Sequence, residues 1–235
     1  MINWNDLKEI KYTLRTEIDN IFKVYNYLIE IRAEDINVLK SKDSCIRSST
    51  AIGYVLEEFI YQKLKNVMNY SKSFEIFRNK SSTQSCSYDF LVSSKKYDLL
   101  VNVKTENRNS ANNAIAAINQ LYKDYSKHIL LQKDFYYIIL KIKYEIDTRS
   151  TNDNEIIYLD KVKITDFDIY SLEEISFDKG FTQDHRNWGK EYKPISGRLH
   201  ISKKFYTDNK LSESDEISNK KTFTYLDNMI AHKIT

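Results

Sequence analysis

Glycine and proline are scarce in this sequence, with four glycines and one proline among 235 residues. No glycine-rich phosphate loop and no Gly-x-Ser-x-Gly elbow occurs, so nothing supports NTP-driven chemistry, a nucleotide cofactor or serine hydrolysis. The two cysteines, Cys45 and Cys86, have neither a zinc-site spacing nor the number that a disulfide framework needs. The four histidines are scattered and show no metal-ligand spacing. We therefore expect free thiols in a reducing compartment.

Long apolar runs are also missing. No stretch approaches the roughly 18 residues that a membrane-spanning helix needs. The first residues, "MINWNDLKEIKYTLRTEID", carry charges throughout and contain no signal-peptide core. These two absences predict a cytoplasmic protein with no membrane association.

The net charge is small, because 36 basic residues face 33 acidic ones and leave +3. The charges are unevenly placed, however. Residues 178–205 contain seven lysines and arginines against three acidic residues, together with three of the glycines and the single proline. A basic, irregular segment of this kind is typical of loops that contact DNA. The alternative is a solvated surface loop.

Apolar side chains recur at three- and four-residue steps in several segments, which predicts amphipathic helices. The first lies within a helical segment at 1–40, with helices at 4–31 and 33–40. Thr50 is positioned to cap a second helix at 51–68, where Gly53 indicates close packing. Further helices are predicted at 111–125 and 213–232.

Strands are predicted at seven places by β-branched, aromatic and alternating residues. The mostly apolar run 135–146 is typical of a central strand. No internal repeat or long linker is visible, so we expect a single domain, 1–235, of the α/β class, with a mixed central sheet flanked by helices. The other predicted strands are 73–79, 87–92, 97–105, 155–164, 174–178 and 197–205.

The segment "YDFLVSSKKYDLLVNVKTE" (88–106) contains polar groups in a spacing that suits chemistry. In the strand 97–105, Asn102 and Lys104 lie on one face, roughly 7 Å apart. Asp89 begins the partner strand and can meet Asn102 across the pair, although the sequence does not fix the register. The alternative is a half-exposed hairpin whose polar face meets water.

These residues resemble the PD-(D/E)xK nucleases, in which an aspartate opens one strand and the next carries a carboxylate, one spacer and a lysine. Three blocks in the same order resemble the HincII/EcoRV group of type II restriction endonucleases in that family. They are "GYVLEEFIYQKLK", "SYDFLVSSKKYDLLVNVKTENRNSANN" and "KGFTQDHRNWGKEY". The resemblance implies a restriction-endonuclease-like core and Mg²⁺-dependent, sequence-specific hydrolysis of double-stranded DNA.

The resemblance also implies roles for individual residues. Asp89, Asn102 and the backbone carbonyl of Val103 would hold Mg²⁺ against the scissile phosphate. Lys104 would stabilise developing negative charge beside the attacking water. Glu57, on the helix, would bind a second metal or orient a water; the alternative is a solvated helix residue.

Asn102 departs from the family pattern, which has an aspartate or glutamate there. Its amide oxygen can coordinate a hard cation but brings no charge. Three interpretations of Asn102 stay open. In the first, an original aspartate was deliberately replaced by asparagine to trap uncut DNA. In the second, the asparagine is native and Glu57 or Glu106 supplies the missing charge, and in the third the protein has a nuclease fold but no longer cuts DNA.

Two polar stretches are candidates for reading DNA, because asparagine and glutamine suit adenine and arginine suits guanine. A palindromic site would imply a two-fold homodimer, formed through the first helix or the helix at 51–68. Rival functions are a non-cleaving DNA-binding protein, a repair or junction-resolving nuclease, and a protein-interaction module. The candidate DNA-binding residues are Asn107, Arg108, Asn109, Ser110, Asn112, Asn113, Gln183, His185, Arg186, Asn187, Lys203 and Lys204.

Overall fold

The computed structural model describes residues 2–30, 48–71, 74–78, 86–107, 113–149, 158–178 and 197–234. These ranges form five α-helices, eight β-strands and one 3₁₀ turn, Leu172–Glu174. The helices are α1 (Trp4–Val24), α2 (Ser48–Ser71), α3 (Ile118–Leu130), α4 (Lys203–Asn209) and α5 (Asn219–Ile234). The strands are β1 (Leu28–Glu30), β2 (Glu75–Arg78), β3 (Phe90–Ser93), β4 (Tyr97–Asn107), β5 (Ala114–Ala117), β6 (Asp134–Arg149), β7 (Tyr158–Ser171) and β8 (Arg198–His200).

Six of the strands form one mixed sheet in the order β1-β7-β6-β4-β3-β2. Strands β4 and β6 are parallel, and the other neighbouring pairs are antiparallel. A parallel pair needs a crossover connection, which β5 and α3 supply between these two strands. The prediction of an α/β fold with a mixed central sheet flanked by helices is confirmed, and β6 is a central strand as predicted.

Helices cover both faces of this sheet. One apolar cluster joins α1 and α2 to the alternate residues Leu99, Val101 and Val103 of β4. A second cluster joins α3 and α5 to Leu100 of β4 and to Tyr137 of β6. Strand β4 is therefore buried on both faces along Asp98–Val103, and the alternative of a half-exposed hairpin is wrong.

Helix α1 begins where Asn3 accepts a hydrogen bond from the Asp6 amide at 2.8 Å, an N-cap contact. It buries an apolar stripe, as its periodicity predicts. The helix ends at Val24 because Asn26 and Tyr27 adopt positive φ, and the chain then enters β1. The predicted helix at 4–31 was thus too long, and strand β1 interrupts the helical segment assigned to 1–40. The predicted helix at 33–40 lies outside the described residues.

Helix α2 is longer than predicted, because it begins at Ser48 instead of after Thr50. Gly53 supports the expectation of close packing: a Cβ built there would lie 3.0 Å from the Thr105 hydroxyl of β4. A side chain at this position would require the Thr105 hydroxyl to move by a few tenths of an ångström.

Three segments near the second cluster differ from the sequence prediction. The helix predicted at 111–125 starts at Ile118, because 114–117 pairs with β8 in a separate two-stranded sheet. The strand predicted at 174–178 is replaced by the 3₁₀ turn and a single bridge from Ile175 to Lys210. The strand predicted at 197–205 ends at His200, since Ser202 caps α4 through the Phe205 amide.

Candidate functional site

The hairpin register ends with Phe90 opposite Val101, so Asp89 lies one residue outside the pair. Its backbone and side chain bond to Val101 and Val103, on either side of Asn102. The Asp89 amide donates to the Val101 carbonyl at 2.9 Å. The Asp89 carboxylate, through Oδ2, accepts a hydrogen bond from the Val103 amide at 2.6 Å. The carboxylate thus takes the place of a strand carbonyl at the end of the pair.

Val103 therefore turns its backbone toward Asp89. In an antiparallel pair, the N–H and C=O of one residue point toward the same neighbouring strand. Its amide is occupied by Asp89, and its carbonyl lies on the same side of β4. This geometry is compatible with the ligand role that the sequence assigned to Val103.

Asn102 is buried, with 2% of its surface exposed, and its amide nitrogen faces three oxygens. It donates to the carbonyl of Ser87 at 2.5 Å, the hydroxyl of Tyr137 at 2.8 Å and the carbonyl of Ile115 at 3.2 Å. Its Oδ1 is buried and has no hydrogen-bond partner among the described residues. The amide nitrogen therefore connects the residues before β3 to strands β5 and β6, while the amide oxygen Oδ1 has no hydrogen-bond donor among the described residues.

Glu57, on α2, lies in the electrostatic field of Asp89 and Lys104. Burial raises the pKa of the Glu57 carboxyl, the Asp89 charge raises it further, and Arg78 and Lys104 oppose both effects. The Arg78 guanidinium forms an ion pair with Glu57 and a second one with Glu58. Glu57 is therefore part of the site and already has a cationic partner.

Lys104 lies between charges of both signs. Burial lowers the pKa of its ammonium group, while the carboxylates of Asp89 and Glu57 raise it. Arg198, on β8, lowers that pKa as well. For Asp89, burial raises the pKa, and Lys104, the Val103 amide and Arg78 lower it. Asp89, Lys104, Glu57 and Arg78 thus form one electrostatically coupled group, contributed by the residue before β3, the interior of β4, helix α2 and the last residue of β2.

The donor set for a metal consists of oxygens, which suits a hard cation such as Mg²⁺. Asp89 offers a carboxylate, and the unpartnered Oδ1 of Asn102 is a buried oxygen free to coordinate. Within the described ranges, no three acidic, histidine or cysteine side chains form a group that could hold a metal ion. The oxygens at hand are one carboxylate, one amide oxygen and one backbone carbonyl, with Glu57 as a second carboxylate in the same electrostatic group.

Few of the candidate DNA-binding residues lie in described parts of the chain. Asn107 ends β4, and Asn113 accepts a hydrogen bond through its carbonyl from the Ile201 amide at 2.8 Å. Lys203 and Lys204 are exposed in the first turn of α4. The others lie outside the described residues: Arg108, Asn109, Ser110, Asn112, Gln183, His185, Arg186 and Asn187.

Two arginines belong to the site that the sequence analysis did not assign to it. Arg78 ends β2 and pairs with Phe90, which places it beside Asp89. Arg198 lies in β8, inside the basic segment, and its charge reaches Lys104. Neither arginine belongs to a recognisable sequence motif. Strand pairing places both near the site, and the sequence does not determine that pairing.

No protein-family model matches this chain, and no curated protein matches it. Among solved structures, the chain is similar to the NlaIV restriction endonuclease, with a TM-score of 0.40 and 16% sequence identity. The similarity covers 72% of this chain and 58% of the endonuclease chain, so the chain spans less than two thirds of it. The finer resemblance to the HincII/EcoRV group stays a prediction.

Across the described residues, no helix is both long enough and apolar enough to cross a bilayer.

Proposed function

We propose that this chain is a Mg²⁺-dependent deoxyribonuclease that cuts double-stranded DNA at a specific sequence, as type II restriction endonucleases do. The observation that carries the proposal is the Asp89 carboxylate bonded to the Val103 amide at 2.6 Å, in one coupled group with Lys104 and Glu57. This group combines acidic oxygens for a cation with a lysine for a phosphate. The basic segment 178–205 is the proposed contact to the DNA backbone.

In this proposal each residue of the site has a separate role. Asp89, the Oδ1 of Asn102 and the Val103 carbonyl would hold Mg²⁺, and Glu57 would supply the second carboxylate. The chemistry that Mg²⁺ would supply there is polarisation of the phosphoryl oxygen and a lower pKa for a coordinated water. Lys104 directs its ammonium toward the phosphate and stabilises the negative charge that develops there. Its partial burial strengthens that interaction, because the surrounding dielectric is lower.

Asn102 serves this site as an asparagine. Its two amide hydrogens are shared among the carbonyls of Ser87 and Ile115 and the Tyr137 hydroxyl. A carboxylate in the same place would direct oxygen toward carbonyl oxygen. Among the three readings, the proposal therefore takes the native asparagine, with Glu57 supplying the charge.

A second candidate is a DNA-binding protein with this fold and no cleavage. It is favoured by one observation: Glu57, the available second carboxylate, is already paired with Arg78. The two candidates agree on DNA binding and differ on chemistry.

Incubation with long duplex DNA separates them. The nuclease proposal expects a few discrete fragments with Mg²⁺ and none with EDTA. The non-cleaving alternative expects no fragments, together with DNA binding that weakens steeply as salt rises. Neither fragments nor salt-sensitive binding would leave the proposal without support.

A further inference from the structure

The contacts of Arg78 carry an inference beyond the general activity, and it rests on the proposed function. Arg78 reaches from the edge strand β2 to helix α2, where its two terminal nitrogens pair with Glu57 and Glu58. The guanidinium carbon also lies 5.3 Å from the centroid of the Tyr61 ring. The arginine is thus held by two carboxylates and a ring, at the margin of the coupled group.

The two carboxylates differ in exposure. The Glu57 side chain is 13% exposed and that of Glu58 is 47% exposed. An ion pair with a solvated carboxylate contributes little, whereas a partly buried carboxylate is costly to leave unpaired. Glu57 is therefore the partner for which Arg78 matters, and Glu58 is an outer contact.

The Arg78 guanidinium at Glu57 occupies the position that a metal ion would need in order to bind this carboxylate. A carboxylate bonded to a guanidinium has fewer oxygen lone pairs left and its charge is compensated, so it attracts a second cation weakly. Arg78 therefore lowers the affinity of the free protein for a metal at Glu57.

The guanidinium is also placed to meet DNA. Arg78 pairs with Phe90 in the sheet, next to Asp89, and a third of its side chain (33%) is exposed. Guanidinium groups bind phosphate in a two-pronged geometry as readily as they bind carboxylate. A phosphodiester brought to Asp89 and Lys104 thus comes within the neighbourhood of Arg78.

We propose that Arg78 masks Glu57 in the DNA-free protein and exchanges that carboxylate for a DNA phosphate on binding, which frees Glu57 to bind the metal. Arg78 is then a positioning residue that links metal binding to DNA binding. By linkage, the same exchange makes DNA bind more tightly when metal is present.

A double-mutant cycle with Mn²⁺ tests the mask. Mn²⁺ affinity is measured by calorimetry, without DNA, for wild type, Arg78→Gln, Glu57→Gln and the double variant. We expect Arg78→Gln to tighten Mn²⁺ binding by about tenfold, within the usual range of couplings between sites. The tightening should vanish when Glu57 is also glutamine. Glu58→Gln is the matched control, since it removes the outer carboxylate and leaves Glu57 masked.

A second readout tests the exchange for phosphate. The salt dependence of DNA binding, measured in EDTA, should lose about one unit of slope in Arg78→Gln, as expected for one phosphate contact. Arg78→Lys keeps the charge and loses the fork, so it should keep most of that slope. Circular dichroism and thermal unfolding confirm that each variant compared is folded.

Unchanged or weaker Mn²⁺ binding in Arg78→Gln would overturn the inference, as would an unchanged salt slope. Absence of Mn²⁺ binding in all four proteins would overturn it as well. DNA cutting is scored separately. Tighter Mn²⁺ binding in Arg78→Gln without cutting by wild type would sustain the mask and reject the nuclease. DNA cutting by wild type without tighter Mn²⁺ binding in Arg78→Gln would support the nuclease and reject the masking of Glu57 by Arg78.

Discussion

The Asp89 carboxylate accepts a hydrogen bond from the backbone amide of Val103 at 2.6 Å, just before β3 begins and alongside the continuing strand β4. A carbonyl of the partner strand would normally accept that bond. Strand β4 thus carries Lys104 past the end of its partner while its backbone stays paired. One contact both ends the hairpin and places a carboxylate beside the lysine.

Asn102→Asp should lower stability, because it sets a carboxylate oxygen against the carbonyls of Ser87 and Ile115. We expect a loss of about 1–3 kcal/mol in the free energy of unfolding at pH 7, the usual cost of an unmet buried polar contact. The new aspartate would have a raised pKa in the folded protein, so its penalty should shrink as the pH falls through that pKa. Urea unfolding at two pH values measures both effects.

Asn107→Asp is the matched control, since it adds the same charge at the end of the same strand. It should cost less and show no comparable pH dependence. Equal stability of Asn102→Asp and wild type would contradict the placement of the amide.

Glu173 should be essential for the packing of the C-terminal helix. Its buried carboxylate accepts hydrogen bonds from the Tyr125 hydroxyl at 2.5 Å, the Tyr137 amide at 3.1 Å and Asn219 at 3.0 Å, and also from the Ser171 hydroxyl. Glu173→Gln would turn an amide group toward donors, so two of these bonds would be lost. Each lost bond to a charged group costs about 1.5–3 kcal/mol.

Thermal unfolding and urea titration measure that loss. Glu213→Gln, at an exposed ion pair with Lys8, is a control that should change stability little. A Glu173→Gln protein as stable as wild type would show that the carboxylate is not the acceptor described here.

Metal binding should weaken as the pH falls, starting above the ordinary carboxyl range. Burial raises the pKa values of both Asp89 and Glu57 above their usual 3.8 and 4.5. A protonated carboxyl cannot coordinate a cation, so protons must leave when the metal binds. Mn²⁺ calorimetry from pH 8 down to about pH 4, in buffers of different ionisation enthalpy, counts those protons. A loss of affinity that begins only within the ordinary carboxyl range would contradict the raised pKa values.

The Tyr137 hydroxyl should matter for the start of β3. It donates to the Ser87 carbonyl at 2.5 Å and accepts from the Asn102 amide. Tyr137→Phe removes both contacts without changing the packed ring, so a loss of about 1 kcal/mol is expected from urea unfolding. Tyr12→Phe, at a tyrosine that is 73% exposed, is the control. No difference between the two variants would argue against the hydroxyl contacts.

The sequence predicted most of the sheet because its strands carry local signatures. The alternation in 97–105 and the apolar run at 135–146 each identified a strand that the structure contains. Helix ends were less predictable. Positive φ at Asn26 and Tyr27 ends α1 within a run whose apolar spacing continues, and periodicity carries no information on that turn.

Part of the candidate site was predictable from residues close along the chain, since hairpin geometry was enough to group Asp89, Asn102 and Lys104. Glu57, on a separate helix, was assigned only through the family resemblance. Arg78 and Arg198 arrive by strand pairing with β3 and β5, and long-range register depends on the whole sheet. The pairing of 114–117 with β8 also overrode a helical spacing that was convincing by itself.

The comparison of wild type with Asp89→Asn, on long duplex DNA with Mg²⁺, tests the central claim most directly. Asparagine keeps an oxygen for the Val103 amide, so the fold should survive while the charge is lost. The account predicts discrete fragments from wild type and a rate lower by about 100-fold or more in Asp89→Asn. Glu75→Gln, an exposed carboxylate at the start of β2, should cut like wild type. Equal cutting by Asp89→Asn, or no cutting by wild type, would contradict the account.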